Sequence, residues 1–337
     1  MGLRNDQAAG DGTAGRHVMA GIDEAGLGPI LGPLVVGGMV LAGPAGLSAW
    51  EALGKHFCKA KSGRNDRRIR VDDSKKVKTG VHGHKELERT VLTLWYAVHG
   101  RLPDTVADLL GHSEGEPDFE RYPWYGGIGA TPLPRWQDRD ALELEAHVAA
   151  KSFEQAGLEP LHYAFHVVDV ARYNASIREF DNKGRTLFEA GVPVLRTCLR
   201  TAQRYRSRNG NGDARMLVVA DRHGGRGHYK RHLEGALPKV RIETLLESPS
   251  LSRYSIGSWS EILFTENGED RAFPCAAASC LAKYVRELCV ERLNTFVASK
   301  LPDIKPTAGY WTDGKRFLSD LGALRRTMPE ELLVRIR

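Results

Sequence analysis

The chain reads as an α/β protein: a mixed sheet flanked by helices, with a helical C-terminal portion and one inserted irregular segment. Three observations carry this reading. Apolar runs of strand length alternate with longer stretches whose apolar residues recur at helical spacing. Two of the apolar runs end directly in acids, Asp23-Glu24 and Asp221, and the carboxyl ends of strands are where α/β sheets gather ligands. From about 100 to 160 the alternation fails, because Pro103, Pro117, Pro123, Pro132 and Pro134 crowd the first part of that stretch together with several glycines.

In chain order, residues 1–16 are polar and Gly/Ala-rich and read as a disordered tail without the apolar core of a secretory signal. Val18-Met19-Ala20-Gly21-Ile22 is a strand that delivers Asp23 and Glu24 to one rim, and Gly32 to Leu41 is a buried second strand. A basic stretch, Lys55 to Arg70, leads to Asp72-Asp73-Ser74-Lys75-Lys76. Lys85 to His99 reads as an amphipathic helix, with Leu87, Val91, Leu94 and Trp95 on one side. Within the insertion, Tyr122, Trp124, Tyr125 and Trp136 look like exposed aromatics that a protein partner could anchor on. Asp140 to Ala156 returns to helix, Ala164 to Val170 and Met216 to Asp221 are strands, and Ala276 to Leu301 is a long helix. No internal repeat stands out.

Composition sets the outer bounds. The chain has 337 residues, 42% of them hydrophobic and 27% charged, as in a soluble globular protein, and no apolar run is long enough to span a membrane. Five cysteines without a Cys-x-x-Cys pair argue for reduced thiols in a cytoplasm, against a disulfide framework or a zinc ribbon. The formal net charge of +6 suits a polyanionic partner. Arg196, Arg200, Arg204 and Arg208 recur at four-residue spacing, which on a helix makes a guanidinium stripe fit for phosphate.

The chemistry-bearing residues are carboxylates. An adjacent Asp23-Glu24 pair repels itself unless a cation binds, and hard divalent ions take oxygen ligands. If the strand ending in Asp221 lies beside the first strand, three carboxylates meet at one rim. Glu287 is a fourth candidate, set on the long helix between Lys283 and Glu291, where a surface ion pair is the plainer reading. His223, His228 and His232 lack the Glu that follows the first His of a zincin. Gly26-Leu27-Gly28 is no dinucleotide loop, since its third glycine comes one place late and Asp23 and Glu24 would repel a pyrophosphate.

As an ordered set these pieces resemble the type 2 ribonucleases H, chiefly ribonuclease HII, with some features of ribonuclease HIII. The matching stretches are Asp23-Glu24-Ala25-Gly26-Leu27-Gly28-Pro29, then Gly32-Pro33-Leu34-Val35-Val36, Asp73-Ser74-Lys75-Lys76, Asn174 after Val168-Asp169, Asp221 closing a strand, Ala277-Ala278-Ser279-Cys280-Leu281-Ala282-Lys283 with Glu287 after Arg286, and Gly309-Tyr310. They cover roughly residues 17 to 100 and 163 to 320. Leu27 stands where the family's Gly-Arg-Gly has Arg, Thr307-Ala308 where it has His-Lys, and Trp311 where it has a glycine.

The resemblance implies a ribonuclease H-like catalytic domain over 17–325, interrupted by the insertion, with 326–337 as a C-terminal tail or helix. It implies hydrolysis of the RNA strand of RNA–DNA hybrids, or of ribonucleotides embedded in duplex DNA, with Mg2+ or Mn2+ held by Asp23, Glu24, Asp221 and Glu287. Gly26, Leu27, Gly28 and Tyr310 would read the ribonucleotide, and Ser74, Lys75, Asn174, Lys283 and the arginine stripe would hold the backbone. Two readings stay open beside it: a nuclease of this fold without ribonucleotide selectivity, and a nucleic-acid-binding module without catalysis.

Overall fold

The computed structural model describes residues 15–336 apart from 64, 209 and 225, so the expected disordered tail lies almost wholly outside the described residues. Seven strands form the central sheet: β1 (Arg16–Ala25), β2 (Leu34–Pro44), β5 (Glu159–Val168), β6 (Arg215–Asp221), β7 (Ile242–Glu247), β8 (Leu251–Ile256) and β9 (Ser260–Thr265). Their order is β5-β2-β1-β6-β9-β8-β7. Strands β1, β6 and β9 run parallel and the other neighbours are antiparallel, which is the mixed sheet expected. A separate two-stranded pair, β3 (Phe57–Cys58) with β4 (Ile69–Arg70), sits in the basic stretch.

The helices cover both faces. The long helix Phe273–Ala298 lies against β1 and β2, and it comes so close because two strand positions carry no side chain. A Cβ on Gly21 would stand 2.0 Å from the backbone nitrogen of Cys275, and one on Gly37 2.3 Å from the Ala278 carbonyl. On the opposite face helix Lys183–Arg206 packs on β2 and β5, with Val194 seated over Gly38. One apolar cluster fills each side of the sheet. All five cysteines are buried and free, and no described helix is long and apolar enough to cross a membrane.

The insertion corrects one expectation. Its aromatics are not exposed anchors: Tyr122, Trp124 and Tyr125 are 1–3% exposed and belong to the core on the long helix's side of the sheet. Tyr122 donates its hydroxyl hydrogen to Asp169 at 2.6 Å, the residue that caps helix Val170–Phe180. Trp136 packs on Tyr284 and His84. The insertion also covers one edge of the sheet, where the Glu114 N–H donates to the Phe165 carbonyl at 2.6 Å. Lacking regular periodicity, the segment still buries apolar area as any core element does.

Candidate metal centre

Strands β1 and β6 are parallel neighbours with Ile22 opposite Ala220, so Asp23, Glu24 and Asp221 emerge at the same rim. One carboxylate oxygen from each lies within 4.8 Å of the other two, and all three residues are half-buried. Burial and mutual repulsion make ionisation costly. Burial, then Glu24, then Asp221 push the Asp23 carboxyl well above its usual range. Burial and Asp221 raise Glu24 to about 7, and burial raises Asp221. Asp23 Oδ1 accepts from the Glu24 N–H at 2.8 Å, and the Ser279 hydroxyl supports Asp23 as well. Lys75 is a nearby cation, and its field reaches both Glu24 and Asp221. Three half-buried oxygen donors with too little positive charge fit a hard divalent ion such as Mg2+ or Mn2+. Among the described residues the three histidines near β6 form no such group: His228 pairs with Glu247 at 2.6 Å and His232 with Arg226.

The glycine loop starts where β1 ends. Gly26 takes a left-handed φ of +100°, and a Cβ there would lie 2.7 Å from the Arg286 side chain. The N–H groups of Ile30 and Leu31 donate to the Gly309 carbonyl at 2.8 and 3.2 Å, which docks Tyr310 on the loop. The Tyr310 ring is 44% exposed and faces the Lys283 ammonium at 5.8 Å and the Arg286 guanidinium at 5.9 Å. Two buried arginines underlie the loop. Arg286 donates to the carbonyls of Leu31 and Ala308, both at 3.1 Å. Arg335 donates to the Gly32 carbonyl at 2.8 Å and to that of Gly26, with its guanidinium 4.6 Å from the centre of the Tyr173 ring. Leu27 packs against the apolar cluster on the far side of the sheet from the long helix.

Four sequence expectations are placed differently. Glu287 is not in the carboxylate group: its side chain is bound by Lys78 at 2.6 Å, Lys283 at 2.8 Å and His84 at 3.2 Å. Burial works against its ionisation, yet His84, Lys283 and Lys78 together hold it far below the usual carboxylate range. Ser74 is buried, its hydroxyl 3.2 Å from that of Ser279, so it docks the Asp73-Ser74-Lys75-Lys76 turn onto the long helix instead of facing outward. Asn174 is buried too, and its amide is spent on the C-terminal segment, donating to Val334 O at 2.9 Å and accepting from the Ile336 N–H at 2.9 Å. The arginine stripe lies toward the opposite end of the sheet from the carboxylates. Arg16, at the start of β1, reaches Tyr205 on that helix, and seven residues of strand put it about 23 Å from Asp23. Arg196 there binds the Ala236 carbonyl, Arg200 pairs with Glu114 and Arg208 with Glu159.

Lys78, His84, Ser279 and Arg335 were not singled out from sequence. Lys78 lies two places past the Asp-Ser-Lys-Lys motif and Ser279 inside the Ala-Ala-Ser motif, so both carried a signal. Arg335 carried none, because a basic residue near a chain's end reads as solvated surface.

No family model matches the chain, and no curated protein matches it. Solved structures do. The ribonuclease HII in its complex with PCNA from Archaeoglobus fulgidus is 16% identical, with 95% of this chain and 94% of that chain covered and a TM-score of 0.40. The ribonuclease H2 from Pyrococcus horikoshii OT3 is 12% identical over 94% and 92% of the two chains, with a TM-score of 0.38. The ribonuclease HIII crystallised as Bst-RNase HIII in complex with Mn2+ is 13% identical over 99% and 72%, with a TM-score of 0.43. Identities and TM-scores this low leave the functional reading to the residues themselves.

Proposed function

We propose that the protein is a divalent-metal-dependent endonuclease that hydrolyses the RNA strand of RNA–DNA hybrids, or cuts at ribonucleotides embedded in duplex DNA. The observation that carries this is the group of three repelling, half-buried carboxylates at one rim, contiguous with a glycine loop on which a half-exposed tyrosine is docked. A surface meant only to bind a polyanion gains nothing from clustered negative charge. Asp23, Glu24 and Asp221 would hold Mg2+ or Mn2+, which when bound would supply charge stabilisation at the phosphate and a water of lowered pKa.

The protein's own groups do the rest. Lys75, beside the carboxylates, and Lys283, facing Tyr310, bring positive charge to the phosphates on either side of the cut. Glu287 fixes the Lys283 ammonium and lends Lys78 and His84 a defined place, so it orients the cationic wall of the site. The Gly26–Gly28 backbone approaches the sugar closely because no side chain stands at Gly28, above which a Cβ would meet open space. Tyr310 offers a face for the sugar, and the 2′-hydroxyl is the group by which RNA is told from DNA. Leu27 supplies no charge, so the loop reads the ribonucleotide with backbone groups alone.

The test is cleavage of three labelled duplexes in Mg2+ and in Mn2+: one with a single ribonucleotide, one with a four-ribonucleotide tract, one of DNA only. Cutting confined to the ribonucleotide-containing strands supports the reading. Equal cutting of DNA would make this a nuclease without ribonucleotide selectivity, and no cutting in either metal would leave a binding module.

A further inference from the structure

Leu27 leaves the glycine loop without its own cation, yet the loop has one beneath it. The C-terminal segment after helix Glu330–Leu333 runs under the loop: Val334 bridges Leu31, and the Arg335 N–H donates to the Ile30 carbonyl at 2.9 Å. The Arg335 side chain is 4% exposed and spans the loop from Gly32 O to Gly26 O, with one terminal nitrogen still unpartnered. Tyr173 covers the guanidinium, and Asn174, the next residue on the same helix, clamps the backbone on both sides of it.

The direction of one peptide group follows. Among the described residues the Leu133–Pro134 bond is the cis one, so the Gly26–Leu27 peptide is trans. In a planar trans peptide the C=O and the N–H point opposite ways. With the Gly26 carbonyl drawn inward onto Arg335, the Leu27 N–H is turned outward, and it makes no hydrogen bond to any described residue. It is a free donor two residues past Ala25, at the end of the strand that carries Asp23 and Glu24.

We propose that Arg335 is a positioning residue: it holds the Gly26 peptide, and with it the outward Leu27 N–H, in the orientation from which the glycine loop reads the 2′-hydroxyl of the ribonucleotide. This rests on the ribonuclease reading above and deepens it. A fork that grips two carbonyls at once fixes the loop's orientation, and an ammonium at the same place grips less well.

The experiment measures binding with Ca2+ in place of Mg2+, comparing a duplex holding one ribonucleotide with the same duplex in all-DNA form. One directed hydrogen bond gives the wild type a preference of about tenfold for the ribonucleotide. Arg335→Gln should bring the ratio close to one while affinity for the all-DNA duplex changes little, and Arg335→Lys should fall between. A merely structural role would weaken both duplexes alike. A folded Arg335→Gln protein that keeps the wild-type ratio overturns the role of Arg335, whereas a wild type with no preference and no cleavage of ribonucleotide substrates overturns the parent reading instead. Should Arg335→Gln not fold, exchange of the Leu27 amide hydrogen in the wild type decides the contact. Slowing by the ribonucleotide duplex and not by the DNA duplex supports it, and equal slowing by both removes it.

Discussion

The Lys283 ammonium lies 2.8 Å from the carboxylate of Glu287, one turn further along the same buried helix. Lys78 and His84 reach the same carboxylate from another part of the chain, and the Arg286 guanidinium lies 3.8 Å away, so a buried anion is met by four basic side chains. Removing one member of such a set leaves the others short of a counter-charge. Glu287→Gln should therefore raise KM for the nucleic acid by about tenfold through loss of Lys283 orientation, while the affinity for Mn2+ stays within about threefold of wild type. Calorimetric titration of Mn2+ beside steady-state kinetics checks both. A hundredfold loss of metal affinity would instead make Glu287 a ligand.

Two kinds of carboxylate predict opposite pH trends. Asp23, Glu24 and Asp221 have raised pKa values, Glu24 reaching about 7, so between about pH 4 and 7 the native state holds protons that the unfolded chain has released. Their contribution to stability is present at the acid end and is lost as pH rises across that interval, on the order of 2 kcal/mol after allowing for solvent screening. Glu287 is lowered, so its contribution is present above its unfolded value of about 4.3 and is lost only as pH falls below it. In EDTA, urea stability should decline from pH 5 to 8. Metal affinity should climb over the same range, because the ligands bind deprotonated. Flat curves for both quantities would contradict the assignment of these three acids.

Trp124 tests the revised view of the insertion. It is 2% exposed and touches Tyr122 and Tyr125 in edge-on ring contacts beside the long helix. Trp124→Ala should cost about 3–5 kcal/mol, as truncation of a buried large aromatic does. Denaturant midpoints measure this, and a cost below about 1 kcal/mol would mean that the ring lies on a surface after all. Deleting 104–136 should then abolish folding, not merely remove a partner.

Where periodicity and composition agree with burial, the fold was legible. The run ending in Asp23-Glu24, the valine-rich β2, the strand ending in Asp221 and the long alanine-rich helix all lie where their apolar patterns point. Because parallel β1 and β6 are neighbours, the acids that close them meet. Strands β7, β8 and β9 have no counterpart in the sequence reading: in β7 Ile242 alone of six residues is buried, and in β8 and β9 serines hold buried positions (Ser252, Ser260), which blurs the apolar alternation. The insertion's aromatics were misjudged because prolines and glycines hide the fact that a segment without regular structure can still fill a core. Asn174 and Arg335 were illegible for one shared reason. Each answers a partner far away in sequence, and a polar residue does not announce that its hydrogen bonds will be made inside the protein.

Asp23→Asn separates chemistry from architecture most directly. The substitution keeps the side chain's shape and its capacity to accept from the Glu24 N–H, while deleting the charge that repels Glu24 and Asp221. Cleavage should fall by at least about a thousandfold, since one of three oxygen donors to the ion loses its charge. Without metal, the same change should stabilise the fold by about 1–2 kcal/mol at pH 8, the repulsion between like charges being relieved. Catalytic sites that hold unfavourable charge commonly show this exchange of stability for activity. Thermal midpoints in EDTA for both proteins, read beside the cleavage assay, give the answer. An inactive Asp23→Asn that is also less stable would mean that Asp23 serves the fold and not an ion. An active one would remove the metal centre from this rim altogether.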